Sequence, residues 1–388
     1  MNSLEVLGGA NIGGSCYLVE LEGVRILFDC GVRLNTPYTD HPNIPSPETI
    51  DLIFLSHAHL DHIGALAYTA AVCRNARIFS TPATRDFIRY QLSETIAEYI
   101  GADTDELRFS NHLLCQLILN RIETAEFHKR TAIHLSNTET KKEAVVKFSF
   151  FPAGHIPGAA ATYLRIGQRS LLYSGDFYLH PTPLTAPCSL PEGLCPDILL
   201  LCGTYANRLQ SEKSAPTITS LKDNFTCLFR QNRNLLVRYS QLTKGLEMLA
   251  LIDDLIREKR LLRTPVFMEE GLWQLAQHYE RTSDFRLPSY MNPLSMRGSC
   301  SGYGEIIFLS QSSAALKKDF AAFPAIDTNF SLHADGPELL SYVRKLHPGK
   351  VFLVHAAPRG CETCQLADAL LDDRICVIST ENERMYSI

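Results

Sequence analysis

The chain has 388 residues, a length that suggests two or three domains with a substantial core. Hydrophobic residues make up 45% and charged residues 20%, and 22 Gly with 20 Pro is near average, which excludes disordered, collagen-like or linker-dominated chains. A net charge of −5 excludes a protein that holds nucleic acid by bulk positive charge, but not a nuclease whose bound divalent metals and local groove supply positive potential.

In chain order, Ser15–Leu21 and Val24–Asp29 read as strands, with Glu22-Gly23 a hairpin turn. Asp51–Leu55 is a continuous apolar run of the kind that lies inside a sheet, followed by a polar loop and a helical pattern from Asp61 to about Arg74. Residues 84–118 carry apolar positions at helical spacing, and 145–151, 161–166, 170–174 and Asp197–Leu201 return to strands. From about 205 to 325 the texture changes. Helix-like stretches (Leu246–Arg260, Leu272–Arg281) alternate with short apolar strands (Leu235–Val237, Val266–Met268, Ile306–Leu309), as in an α/β insertion. A helix with Asp335 as N-cap and Pro337 near its first turn, then the strand Val351–Val354, close the reading.

No apolar run approaches the roughly 20 residues of a membrane helix, and the start Met1-Asn2-Ser3-Leu4-Glu5-Val6 has no basic region ahead of an apolar one. The twelve Cys are scattered, many inside apolar strings, and read as buried, reduced thiols of a cytoplasmic protein away from membranes. Cys361-x-x-Cys364 lacks a second CxxC to complete a four-ligand site, so it reads as two thiols at a helix start.

The strongest chemical signal is Ser56-His57-Ala58-His59-Leu60-Asp61-His62 directly after a buried strand. Three imidazoles and a carboxylate in six residues form a natural metal-binding loop. Alternate residues of an extended loop point to one side, so His57 and His59 can meet one ion while Asp61 and His62 meet a second. Further ligands are expected from other strand ends: His155 after Phe151, Asp176 in Tyr173-Ser174-Gly175-Asp176, and His355 after Val354.

The His57-x-His59-x-Asp61-His62 string, with Asp29, His155 and Asp176, resembles the metallo-β-lactamase fold. Phe330-Ser331-Leu332-His333-Ala334-Asp335 and Lys350-Val351-Phe352-Leu353-Val354-His355 resemble motifs B and C of the β-CASP nucleases, which include ribonuclease J and the pre-mRNA 3′-end-processing endonuclease. The resemblance implies an α/β protein, an αββα sandwich over 1–204, interrupted by a β-CASP cap over 205–325 and completed by 326–388. It implies that His57, His59 and His155 hold one zinc and Asp61, His62 and His355 another, with Asp176 bridging them; manganese would fit the same ligands. Asp29 would orient the His loop from behind. Asp61, Asp176 and His333 would be the catalytic groups, with His333 giving a proton to the leaving oxygen. Ser331 and the amides near Asp335–Glu338 would hold a phosphate oxygen.

The same comparison marks departures. Cys202 in Leu201-Cys202-Gly203-Thr204-Tyr205 stands where motif A has an acid that orients a neighbouring His. Thr243-Lys244 stands at the cap's Gly-Arg, and Ser310-Gln311-Ser312-Ser313 at its Ser-Gly-Met. Thr204, Tyr205 and Lys244 are the remaining substrate-binding candidates. The expected activity is zinc-dependent hydrolysis of RNA, since motif C carries His in the RNA-processing branch. Alternatives are cleavage of single-stranded DNA by the same chemistry, a weakly active or non-catalytic subunit of a processing complex, and small-molecule ester hydrolysis. Homodimerisation or substrate delivery by a partner protein is also expected from the family.

Overall fold

The computed structural model describes residues 2–33, 41–100, 105–137, 142–209, 218–232, 234–298, 304–311, 313, 319–328, 330–356 and 364–388. Contacts divide the chain into two units. The first comprises Met1–His180, Ala186–Glu212 and Leu332–Ile388, and the second Pro181–Thr185 and Lys213–Ser331. The boundaries read from the sequence, 204/205 and 325/326, fall several residues earlier. After the strand Ile198–Cys202 the chain stays on the first unit, with Gly203 N bonded to Val354 O at 2.8 Å and Leu209 N to Gln365 Oε1 at 3.0 Å. On the return, Thr328 N still bonds Arg238 O at 3.0 Å within the second unit.

The first unit holds two seven-stranded sheets. One is built from β1 (Ser3–Gly8), β2 (Cys16–Leu21), β3 (Val24–Phe28), β4 (Leu52–Phe54), β5 (Arg77–Ser80), β6 (Ile122–Thr124) and the last strand β19 (Arg384–Ser387), in the order β19-β1-β2-β3-β4-β5-β6. The other contains β7 (Thr131–Asn137), β8 (Lys142–Pro152), β9 (Ala160–Ile166), β10 (Arg169–Tyr173), β11 (Ile198–Cys202), β17 (Lys350–Val354) and β18 (Cys376–Ser379), in the order β18-β17-β11-β10-β9-β8-β7. The β2–β3 hairpin turns at Glu22 and Gly23, both with positive φ (51° and 75°), as a tight two-residue loop between right-twisted strands requires.

Phe28, Leu52, Phe54 and Phe79 of one sheet meet Phe148, Phe150, Leu171, Tyr173, Leu200 and Phe352 of the other in one inter-sheet core. The alternate side chains Leu27, Ile53, Ile78, Leu199 and Leu353 are buried too, so these strands are covered on both faces and read as unbroken apolar runs rather than alternating ones. The helical pattern 61–74 is split into α1 (Leu60–Ile63) and α2 (Leu66–Val72), and that of 84–118 into α3 (Pro82–Ile100) and α4 (Asp105–Arg121).

In both sheets the central pairs β3–β4, β4–β5, β10–β11 and β11–β17 are parallel. Strands β8 and β10 share a direction because each pairs antiparallel with β9. The segments leaving β3, β4, β8, β10, β11 and β17 therefore emerge at one edge, the end of an α/β sheet where chemistry is placed.

The second unit is an α/β layer of its own. Its five-stranded sheet is all parallel, in the order β14 (Met291–Pro293), β13 (Val266–Met268), β15 (Ile306–Ser310), β12 (Leu235–Tyr239), β16 (Ala325–Asp327). It carries the helices α5 (Ile218–Asn232), α6 (Leu242–Arg257) and α7 (Glu270–Thr282), with Leu236, Phe267, Ile307, Leu309 and Phe320 in a core cluster. The returning part of the first unit also carries α8 (Gly336–Leu346) and the short α9 (Gln365–Ala369).

Candidate metal centre

The strand-end segments converge as follows. Asp29 leaves β3 in the left-handed region (φ 57°), and His355 leaves β17 likewise (φ 48°); both are sparsely populated backbone states that surrounding bonds must enforce. For Asp29 these are bonds from Ser56 N (2.7 Å), Ser56 Oγ (2.7 Å), His62 Nδ1 (2.8 Å) and Tyr173 Oη (2.6 Å). For His355 they are its own N to Gly9 O (2.6 Å) and Ser15 Oγ at 2.9 Å from its Nδ1. The His loop is locked in turn, with Ser15 N donating to Asp61 O (2.8 Å) and Cys30 N to His62 O (2.7 Å). Gly31 sits where a Cβ would come within 1.8 Å of Asp61 O, so only glycine allows that approach.

Eight of the singled-out side chains then face one another. His57 Nε2 and His155 Nε2 each lie 3.1 Å from His59 Nδ1. Asp176 Oδ2 is 3.4 Å from His62 Nε2, 3.7 Å from His355 Nε2, and 3.8 Å from nitrogens of His57, His155 and His333. Asp61 Oδ2 is 3.8 Å from His355 Nε2. Four overlapping triads have mutually close donor atoms: His57/His59/His155, His57/His62/Asp176, Asp61/His62/His355 and His155/Asp176/His333.

This donor set fits metal ions. Asp176 Oδ1 is buried with no hydrogen-bond partner, and a buried carboxylate oxygen left bare would be costly. Burial, then the neighbouring imidazoles, holds His57 and His59 well below the ordinary histidine range, and burial lowers His155 as well, so their nitrogens keep lone pairs. Burial opposes the charge on Asp176, yet the imidazoles of His355, His62 and His333 hold it well below the usual carboxylate range. At His62 burial again opposes the charge, and the carboxylates of Asp176, Asp61 and Asp29 outweigh it and raise the imidazole well above normal.

His333 differs from the rest. Its side chain is 23% exposed, whereas those of His57, His62, His155 and His355 are 0–3% exposed. Its Nδ1 lies 3.3 Å from Thr204 Oγ1, so Thr204 is turned inward to His333 rather than presented to solvent. Cys202, at the motif A position, lies beside the Asp176 carboxylate. Its thiol sits in the inter-sheet core, and burial, then the Asp176 and Asp29 carboxylates, pushes it well above the ordinary thiol range.

Lys244 and Ser331 belong to the second unit, where the Lys244 ammonium lies 5.7 Å from the Phe330 ring centroid and burial lowers its pKa. The Asp335 and Glu338 amides, expected to face a phosphate, are bonded in a reciprocal capping box (2.9 and 3.0 Å). Cys361 and Ser312 lie outside the described residues, and the ten described cysteines are free thiols. Sequence reasoning missed Ser15, Ser56 and Tyr173. Ser56 adjoins the His loop and carried a positional signal; Ser15 and Tyr173 reach the site only through the fold.

No described helix is long and apolar enough to cross a membrane. Residues 10–228 match the metallo-beta-lactamase superfamily, and residues 326–368 match the Zn-dependent metallo-hydrolase RNA specificity domain. The chain is 28% identical over 257 residues to cleavage and polyadenylation specificity factor 73 of Drosophila melanogaster, covering 63% of this chain and 34% of that protein. It is 25% identical over 350 residues to an RNase J-like protein of Methanocaldococcus jannaschii, covering 89% and 75%. The chain thus spans about a third of the first relative and three quarters of the second. A crystal structure of a protein of unknown function from Enterococcus faecalis V583 shares the fold, with a TM-score of 0.63, 14% identity and coverage of 100% of both chains. The superfamily match takes in more than half of the chain and the RNA specificity domain covers motifs B and C: the chain belongs to the metallo-β-lactamase superfamily, in the group that the β-CASP nucleases represent.

Proposed function

We propose that this protein is a zinc-dependent phosphodiesterase that cleaves RNA. The observation that carries the reading is the Asp176 carboxylate, with one oxygen 3.4–3.8 Å from the nitrogens of five imidazoles and the other buried without a partner. In this reading His57, His59 and His155 hold one zinc, Asp61, His62 and His355 a second, and Asp176 reaches both. Zinc bound there supplies Lewis acidity and a nucleophile at neutral pH.

The protein's own residues do the rest. Asp29, Ser56 and Tyr173 hold His62 in one ring orientation, and Ser15 does the same for His355. His333, more exposed than the buried imidazoles and bonded through Nδ1 to Thr204, turns its other nitrogen to the leaving oxygen and gives it a proton. RNA as substrate is supported by the matched RNA specificity domain and by the RNase J-like relative.

The test is incubation of zinc-loaded protein with end-labelled and internally labelled RNA, beside a matched single-stranded DNA. The reading expects RNA cleavage that EDTA abolishes and zinc restores. Cleavage of the DNA alone would move the substrate to DNA. No cleavage of either by zinc- or manganese-loaded protein would overturn the reading.

A further inference from the structure

The segment after β11 carries an arrangement that the metal centre does not use. The Tyr205 ring stands edge-on to the His333 imidazole, with centroids 6.3 Å apart and planes at 84°. The Arg208 guanidinium lies 4.8 Å from the Tyr205 ring centroid. Tyr205 thus touches both the His333 imidazole and the Arg208 guanidinium; its ring is half-buried and the guanidinium is exposed.

The backbone beneath them is held. Ala206 N bonds Gly203 O and Arg208 N bonds Tyr205 O, both at 3.0 Å, and Leu209 N bonds Gln365 Oε1 at 3.0 Å. At the start of α8, a Cβ on Gly336 would meet Arg208 C and O at 2.7 Å, so the loop packs directly on the helix entry. Arg238, Arg260, Arg297 and Arg344 each pair with a carboxylate. Among the described residues, Arg208 makes no ion pair and rests on the aromatic ring alone. In a chain of net charge −5, an unpaired guanidinium fixed one ring beyond His333 is a local attractor for an anion. Its planar fork matches two phosphate oxygens at once, and stacking on Tyr205 removes the freedom that would otherwise weaken the pairing.

We propose that Arg208, seated over the Tyr205 ring, binds the phosphate that neighbours the scissile one on the leaving-group side, and so sets the register of the RNA strand against His333. The proposal rests on the RNA-cleaving reading above, because it assigns His333 to the leaving side.

The test is equilibrium binding of a fluorescein-labelled, cleavage-resistant phosphorothioate RNA to zinc-loaded protein over a series of KCl concentrations, read by anisotropy. Arg208→Ala is expected to weaken binding roughly tenfold, the scale of one charge-assisted contact, and to make the log–log salt slope shallower by about 0.7, the value for one single-strand phosphate. Arg208→Lys keeps the charge, so it should restore the slope while recovering little of the affinity. Tyr205→Leu should behave as Arg208→Lys does. A wild-type salt slope in Arg208→Ala overturns the assignment alone. If the wild-type protein binds this RNA no better than an uncharged methylphosphonate analogue, the RNA reading falls and the assignment falls with it.

Discussion

Asp29 Oδ2 lies 2.8 Å from His62 Nδ1, and neither side chain has exposed surface. The same carboxylate oxygen accepts from Ser56 Oγ and Tyr173 Oη, so His62 has one allowed ring orientation, with Nε2 toward Asp176. Asp29→Asn keeps the shape but sets an amide N–H against donors. Zinc affinity is expected to fall about 10–100-fold and stability by about 1–3 kcal/mol. Titration against a competing chelator and urea unfolding measure the two. Unchanged zinc affinity would mean that other contacts orient His62.

His333 separates proton delivery from metal binding. His333→Ala is expected to lower kcat for RNA by about 10²–10⁴ with zinc content at the wild-type level. Its donor atom also comes within reach of His155 and Asp176. Loss of one equivalent of zinc in the variant would therefore make His333 a ligand instead.

Gly31 is the contact that admits the His loop. Gly31→Ala puts a methyl 1.8 Å from Asp61 O. The expected cost is about 1–3 kcal/mol or more, with weakened zinc binding because Asp61 and His62 must move. Gly298→Ala, with nothing within 4 Å of its Cβ, is the control and should melt like wild type. Equal melting of the two variants would contradict the close approach.

In the second unit, Glu247 on α6 is fully buried, accepts from Thr182 Oγ1 at 2.7 Å through one oxygen, and leaves the other unpartnered. Burial pushes its carboxyl up to about 8. The folded form therefore keeps the proton while the unfolded chain loses it near 4.5. Stability from this group is complete below about 4.5, declines as pH rises, and is lost above about 8. Urea unfolding should show a decline of a few kcal/mol across that window, and Glu247→Gln should remove that component. Parallel pH profiles for the two proteins would show that Glu247 ionises in place.

The parts legible in the sequence were those written locally. His57-x-His59-x-Asp61-His62 follows a strand whose apolar run, Leu52–Phe54, is buried on both faces, and the capping box at Asp335 and Glu338 is spelled within four residues. The terminal strand Arg384–Ser387 is mostly exposed and carries no apolar run, so it left no pattern to read. Ser15 and His355 are 340 residues apart, and an isolated serine says nothing of the imidazole it will meet. Thr204 shows the same limit from the other side. Its place beside motif A suggested substrate contact, but the turn after β11 aims its hydroxyl at His333.

The most direct measurement is the zinc content of purified, zinc-exposed protein by inductively coupled plasma mass spectrometry, with Asp176→Ala alongside. The account expects about two zinc ions per chain in the wild type and a clear deficit in the variant. Folded wild-type protein that retains no zinc, or an Asp176→Ala protein that retains the full amount, would contradict it.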